Sequence, residues 1–360
     1  MKNLEELSWE KVKVFDDSKT LIIATTNSSV DSIRIKEGSS KIVPYISRTN
    51  NNNGISQFVS RENYEFGSDV AGSITVGLDT QTAFYQPYRY ITGQNIHVVT
   101  GKHLNKDLAL FYIPILKKQM IAKFNWGGNG ATLGRMKSLE ALVPTDQDGV
   151  QDYKFMTKYS KYKQKELIAK YETFLVKQIK EIDFRKIPHL EEKHWIPISI
   201  YSVFQLIRGR ENNMALLNDG KMPLISAKKI NNGLKGFVST PNRPVQGNCI
   251  SLNNDGDGGA GLAYYQPYEM ALDTHVTALI PKEKISKWSM LFISECISKL
   301  HGFFGHGLSI SNKRAEKIQI MLPVTDAGQP DFEYMEQYAK NMMLKKYKQY
   351  LSYLERKGMP

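Results

Sequence analysis

The sequence predicts an α+β protein: two tandem strand-rich domains, each followed by a long α-helix, the two helices packing together as a coiled-coil-like spacer. Three observations predict it. Residues 44–60, PYISRTNNNNGISQFVS, return from Pro223 as PLISAKKINNGLKGFVS, with nine of seventeen positions identical and no gap. FYQPY (84–88) returns as YYQPY (264–268), 180 residues on. LVPTDQDGVQDYKFM (142–156) returns as MLPVTDAGQPDFEYM (321–335), with Pro144 matching Pro323 and Asp152 matching Asp331. The offset holds near 180 along the chain, shifting by a few residues at apparent insertions. A solenoid repeats every 20–50 residues or so, so this period marks a duplicated domain.

In chain order, each copy opens on a Trp-led strand, WEKVKV from Trp9 and WIPISI from Trp195. KVKVF, TLIIATT, IHVVT and HVTALI are β-branched or alternating runs bounded by Asn, Gly and Asp, and read as strands. NNG at 52–54 and 231–233 is a hairpin-type turn, because Asn-Gly adopts positive φ cheaply. One helix is expected within each copy, around NKDLALFYIPILKKQ and KWSMLFISECISKL. Each long helix opens after an Asp, Asp152 or Asp331, and carboxylates suit helix N-termini. Tyr159, Ile168, Tyr171 and Leu175 match Tyr338, Tyr347, Tyr350 and Leu354 at constant offset, with the three-then-four spacing of a coiled-coil seam. The expected divisions are 1–150, 151–182, 183–330 and 331–360: domain, helix, domain, helix. Such a layout suits a bipartite DNA site, because head separation becomes base-pair spacing.

The chain has 360 residues, 41% hydrophobic and 23% charged, the balance of a water-soluble globular protein. MKNLEELSWEK has no apolar signal region, and no run approaches a membrane span, so a cytoplasmic protein is expected. Cys249 and Cys296 have neither metal-ligand spacing nor a framework role. The net charge of +12 points to a polyanionic partner, most often nucleic acid (double-stranded DNA on the bipartite layout above), or else to a generic basic surface.

No catalytic constellation stands out. YQPY faintly resembles the Asn/Asp-Pro-Pro-Tyr signature of amino-methyltransferases, but no Gly-rich cofactor loop precedes it. NWGGNGATLGR (125–135) and GFFGHGLSISNKR (302–314) are Gly-rich without the Gly-Lys-Ser/Thr of a phosphate loop. NNDGDGG (253–259) starts like a calcium loop, yet Tyr264 stands where the closing Glu belongs. A nuclease pattern from Pro330, Asp331, Glu355 and Lys357 would lie on a single helix, and the first copy has Val176 and Gln178 at the last two positions. No metal site and no catalysis are expected of this chain.

Two halves with PYIS…NNG…FVS or PLIS…NNG…FVS, a YQPY segment and a Pro-containing exit into a long helix resemble the DNA specificity (S) subunits of restriction-modification systems. The exits look most similar to those of BcgI-like type IIB systems. The type I exit Pro-Pro-x-x-Glu-Gln is missing. The resemblance implies two target recognition domains, each reading one part of an interrupted sequence, with the helices fixing the gap. It implies docking of methyltransferase or fused nuclease-methyltransferase subunits, with S-adenosylmethionine and magnesium bound by those partners and no cofactor in this chain. A stand-alone DNA-binding protein or nuclease, and a protein–protein adaptor, are the alternative readings.

Within this reading, side chains that differ between halves read bases, and shared ones build scaffold. The first-half candidates are Arg48, Asn50, Gln57, Arg61, Arg89, Lys123, Asn129 and Arg135. The second-half candidates are Lys228, Lys229, Lys235, Arg243, His301, His306, Lys313 and Arg314. Arg reads guanine and Asn or Gln reads adenine, whereas Lys more often holds phosphate. Tyr85, Gln86, Tyr265 and Gln266 recur in both halves and are expected either in the scaffold or on DNA. The eight lysines of residues 154–180 form either a solvated face or a track for spacer phosphates. The seam residues Tyr159, Ile168, Tyr171, Leu175, Tyr338, Tyr347, Tyr350 and Leu354 are expected to serve the helix pair and partner docking.

Overall fold

A computed structural model describes residues 4–15, 21–124, 130–211, 217–239, 241–255, 259–305 and 308–358. The chain divides into two compact units, residues 1–171 and 172–360. The first holds β1 (Ser8–Lys13), β2 (Ile22–Thr25), β3 (Lys41–Ile46), β4 (Ile55–Ser60), β5 (Ser73–Gly77), β6 (Thr82–Gln86), β7 (Ile91–Thr92), β8 (Ile96–Thr100) and β9 (Glu140–Thr145). Its helices are α1 (Lys106–Lys123), the short α2 (Leu133–Lys137) and α3 (Tyr153–Glu181), whose last turns belong to the second unit. The second unit continues with β10 (Trp195–Ser199), α4 (Ile200–Val203), β11 (Phe204–Arg208), β12 (Asp219–Ile225), β13 (Leu234–Val238), β14 (Cys249–Asn253) and β15 (Ala263–Gln266). It closes with β16 (Ala271–Leu272), β17 (Val276–Pro281), α5 (Lys287–Ser298), α6 (Asn312–Ala315), β18 (Gln319–Pro323) and α7 (Phe332–Arg356).

The two units share one topology. Sheet β2-β8-β5-β6 matches β11-β17-β14-β15, and β4-β3-β7 matches β13-β12-β16. The pairs β3–β7 and β12–β16 are parallel. The ladder β1–β9 sets Trp9 opposite Pro144, and β10–β18 sets Trp195 opposite Pro323. Each indole N–H returns to the turn before its strand, from Trp9 to the Leu4 carbonyl at 3.0 Å and from Trp195 to the Leu190 carbonyl at 2.8 Å.

Each main sheet carries its core on the face covered by an internal helix. Leu108, Tyr112, Leu116 and Met120, one turn apart along α1, pack with Ile74, Val76 and Ala83 of the sheet. In the second unit Met290, Phe292, Ile293 and Ile297 of α5 meet Ile250, Leu252 and Ala263. Both helices begin at a capping side chain. Asn105 Oδ1 accepts the N–H groups of Asp107 and Leu108 at 3.0 Å, and Ser286 Oγ accepts that of Ser289 at 3.2 Å.

The long helices start alike. Asp152 Oδ1 accepts Phe155 N–H at 2.8 Å, and Asp331 Oδ1 accepts Tyr334 N–H at 3.0 Å. Their second turns dock on their own domains: Tyr159 meets Phe111 of α1, and Tyr338 meets Phe292 of α5. Further along, Leu175 and Leu354 are buried, Ile168, Tyr347 and Tyr350 are half-buried, and Tyr171 is exposed. Within the second unit, Ile179 of α3 and Ile182 just beyond it join Leu344 and Tyr347 of α7 and Trp288 of α5 in one cluster. Among the described residues no helix is long and apolar enough to cross a membrane.

Candidate nucleic-acid interface

The shared motifs build a latch, and the latch is the same in both units. The turn after β3 runs through Asn52, Asn53 and Gly54 with φ of 47°, 58° and 81°, and its twin through Asn231, Asn232 and Gly233 with φ of 54°, 54° and 77°. Asn and Gly enter this left-handed region at least cost. Asn53 Nδ2 then donates to the Tyr85 carbonyl at 2.8 Å, and Asn232 Nδ2 to the Tyr265 carbonyl at 2.9 Å. In return Gln86 Nε2 donates to the Asn53 carbonyl and Thr75 Oγ1, both at 3.0 Å. Gln266 Nε2 does the same to the Asn232 carbonyl and Ser251 Oγ, both at 2.9 Å.

Gln86 and Gln266 are therefore buried, with their amide hydrogens spent inside the fold. They hold the hairpin β3–β4, or β12–β13, to the edge of the main sheet. Tyr85 and Tyr265 are half-buried and pack on the cores. Two positions beyond each glutamine, Tyr88 and Tyr268 turn outward and are each 72% exposed. Phe58 and Phe237, equivalent positions on the latched hairpins, are each 51% exposed.

Around this common frame the polar side chains differ. In the first unit Arg48 and Gln57 come together on a polar cleft of about 350 Å³, beside Asp31, Ser32, Tyr45 and Gln94. Arg48 is ion-paired with Asp79, which also accepts Asn95 Nδ2 at 3.1 Å. The hydrogen bond from Arg48 holds the Asp79 carboxyl below its usual range, while burial pushes the Tyr45 phenol up. Asn50 and Arg61 are exposed on either side of the β4 hairpin. Arg89 lies over the Tyr64 ring at 4.5 Å and donates to Ser68 Oγ at 2.7 Å. Lys123 ends α1, and Arg135 of α2 donates to the Gly130 carbonyl at 3.0 Å.

In the second unit Lys228 spans the base of the NNG turn, its ammonium donating to the Leu234 carbonyl at 3.1 Å. Its own carbonyl accepts Asn253 Nδ2 at 3.1 Å and the Tyr264 hydroxyl at 3.2 Å, so Lys228 is woven into the frame. Lys229, Lys235 and Arg243 are exposed. His301 Nδ1 pairs with the Ala260 carbonyl at 2.8 Å, and Arg314 pairs with the Ser309 carbonyl. Lys313 is exposed on α6. Asn129 and His306 lie outside the described residues.

Sequence reasoning did not single out Asp31, Ser32 and Gln94, which only the tertiary fold carries to Arg48 and Gln57. The register of the repeat did hold a signal for Phe58 and Phe237, since both copies keep Phe before Val-Ser.

One scaffold built twice, latched alike and carrying different polar side chains, defines a recognition protein with two like domains. The chain belongs to the family of type I restriction modification DNA specificity domains, whose profile matches residues 23–172 and 192–351, one copy in each repeat. It is thus a specificity subunit with two such domains, and the family's role is recognition, not catalysis. Among curated proteins it is 27% identical over 302 residues to the type II restriction enzyme specificity subunit S.BcgI of Heyndrickxia coagulans, covering 83% of this chain and 85% of that one. Among solved structures it is similar to the type I S subunit from M. genitalium, at 15% identity and TM-score 0.47 over 99% of this chain and 95% of that one. The HsdS subunit from Thermoanaerobacter tengcongensis is similar at 12% identity and TM-score 0.31, over 97% and 91% of the two chains.

Proposed function

We propose that this chain reads an interrupted, asymmetric DNA sequence for a complex that methylates and restricts DNA. Residues 1–150 read one half-site and 183–330 the other. The helices of 151–182 and 331–360 pair as a spacer that sets the unread gap and docks the methyltransferase or fused nuclease-methyltransferase subunits. Those partners bind S-adenosylmethionine and magnesium, and methylate adenine in each half-site. The complex works in the cytoplasm, where host DNA is. The observation that carries this reading is the contrast within the repeat. The Gln86–Asn53 and Gln266–Asn232 latches match atom for atom, while Arg48 and Gln57 on the first hairpin give way to Ala227 and Gly236 on the second. Base-reading side chains must differ where half-sites differ, and the frame that presents them need not.

The test is the adenine-methylation map of host DNA with and without this gene. Loss of a single interrupted motif on deletion supports the reading and reveals both half-sites and the gap. An unchanged map with the partner genes expressed overturns it.

A further inference from the structure

One carboxylate stands at the same place in both units, and it holds a different side chain in each. The backbone fixes the place. Gly77 pairs with Ile96 across β5 and β8, and Asn253 with Val276 across β14 and β17. Just beyond these pairs, Leu78 N–H donates to the Asn95 carbonyl at 3.0 Å, and Asn254 N–H to the His275 carbonyl at 2.9 Å. Asp79 and Asp255 follow directly, so they are structural twins, as are Asn95 and His275. Ser47 N–H donates to the Gly54 carbonyl and Ser226 N–H to the Gly233 carbonyl, both at 2.9 Å, which makes Arg48 and Ala227 twins in the same way.

The carboxylate is kept, and its partners have changed. Asp79 takes the Arg48 guanidinium from the hairpin, and Asn95 Nδ2 at 3.1 Å from the residue before β8. In the second unit Ala227 has nothing to offer, and Asp255 takes His275 Nδ1 at 2.7 Å from the residue before β17. The Arg48 and His275 side chains are 45% and 57% exposed, and ion pairs this open contribute little to stability. What they do is restrict direction. The Arg48 pair engages Nη1, and the rest of the guanidinium fork is left for guanine O6 and N7. An ionised carboxylate only accepts, so His275 Nδ1 carries the hydrogen and Nε2 is the nitrogen left to meet a base.

Resting on the functional reading above, we propose that Asp79 and Asp255 are matched positioning residues, and that His275 is the second domain's counterpart of Arg48, a base-reading side chain brought to the same carboxylate from another part of the frame. Arg48 meets guanine through two donors, and His275 meets one base edge through Nε2. Exchanging what a fixed carboxylate holds lets one frame read two different half-sites.

The test is the methylated motif written in the host by variants of the full chain, beside the wild type. His275→Asn is the central variant. Asn95 shows that Asn at this position still reaches the carboxylate, so the contact survives and only Nε2 is lost. It should relax discrimination at one position about tenfold, in the half-site that Arg48→Ala leaves alone. Asp255→Ala should relax that same position. Asp79→Ala should relax the position that Arg48→Ala relaxes, and the double variant should go no further than Arg48→Ala alone, as expected of a residue acting through another. An interrupted motif that His275→Asn leaves unchanged overturns the reader while the functional reading stands. Uniformly weaker methylation of an unaltered motif makes the pair a phosphate or folding contact and also overturns it. An Asp79→Ala effect that adds to that of Arg48→Ala overturns the positioning role. A wild type that writes no interrupted motif overturns the functional reading and this proposal with it.

Discussion

Phe111 and Tyr159 meet edge to face, 6.0 Å between ring centroids and 82° between planes, and Phe292 and Tyr338 repeat the contact at 5.4 Å and 89°. One ring in each pair belongs to the internal helix and the other to the second turn of the long helix. The contact ties the long helix to the domain that precedes it. Edge-to-face pairs contribute about 0.5–1.5 kcal/mol beyond their buried area. Tyr159→Leu and Tyr338→Leu keep the apolar bulk and should each cost about 1 kcal/mol, lowering the unfolding temperature by a few degrees. Calorimetry of the two variants checks this, and an unchanged melt in both would mean the contact contributes nothing.

The latch should be worth more. Gln86→Leu and Gln266→Leu each remove the donor to a buried hydroxyl, of Thr75 or Ser251, and to the part-buried carbonyl of Asn53 or Asn232. An unpaired buried polar group costs about 1–3 kcal/mol. Chemical denaturation should show that loss, while Arg48→Ala, on the exposed hairpin, leaves the midpoint nearly unchanged.

Arg48→Ala should instead relax the methylated motif at one position of the first half-site and leave the second half-site as it was. The expected loss is about 1–3 kcal/mol of discrimination at that position. Sequencing of methylated adenines in a strain carrying the variant reads this directly. Relaxation in both half-sites would contradict a modular frame.

Lys229→Ala and Lys235→Ala should weaken DNA binding by the assembled complex about equally for all sequences. Each lost phosphate contact lowers the slope of log affinity against log salt by about 1. Binding titrations at several salt concentrations measure the slope. A change of motif with an unchanged slope would make these residues base readers.

His97 sits buried in β8, where the second unit has Thr277. Burial lowers its pKa below the ordinary 6.5, with the nearby Ala131 backbone opposing the shift. The fold holds the neutral ring, so above the unfolded pKa no stability is lost. As pH falls below about 6.5 the unfolded chain binds a proton more readily than the folded one, and stability drops until the folded group also titrates. Melting temperatures measured from pH ~8 to ~5 should decline, and His97→Thr should flatten part of that decline.

The sequence alone carried everything local or periodic. The duplication, the strand-rich halves, the NNG turns and the Asp caps of α3 and α7 were legible, because propensity, φ preference and capping act within a few residues. The family resemblance was legible for the same reason, as ordered short motifs written twice. Which way a shared side chain points was not. Gln86 and Tyr88 are two residues apart in one motif, yet Gln86 is buried in the latch and Tyr88 stands 72% exposed. Tyr159 has seam spacing but packs on Phe111 of its own domain. The polar cleft of Arg48, Gln57, Asp31 and Gln94 draws on three separate stretches of chain. Only tertiary structure decides such things, because burial and hydrogen-bond partners are set by what the rest of the fold brings to a residue, and residues distant along the chain have no local signal through which to announce that they will meet.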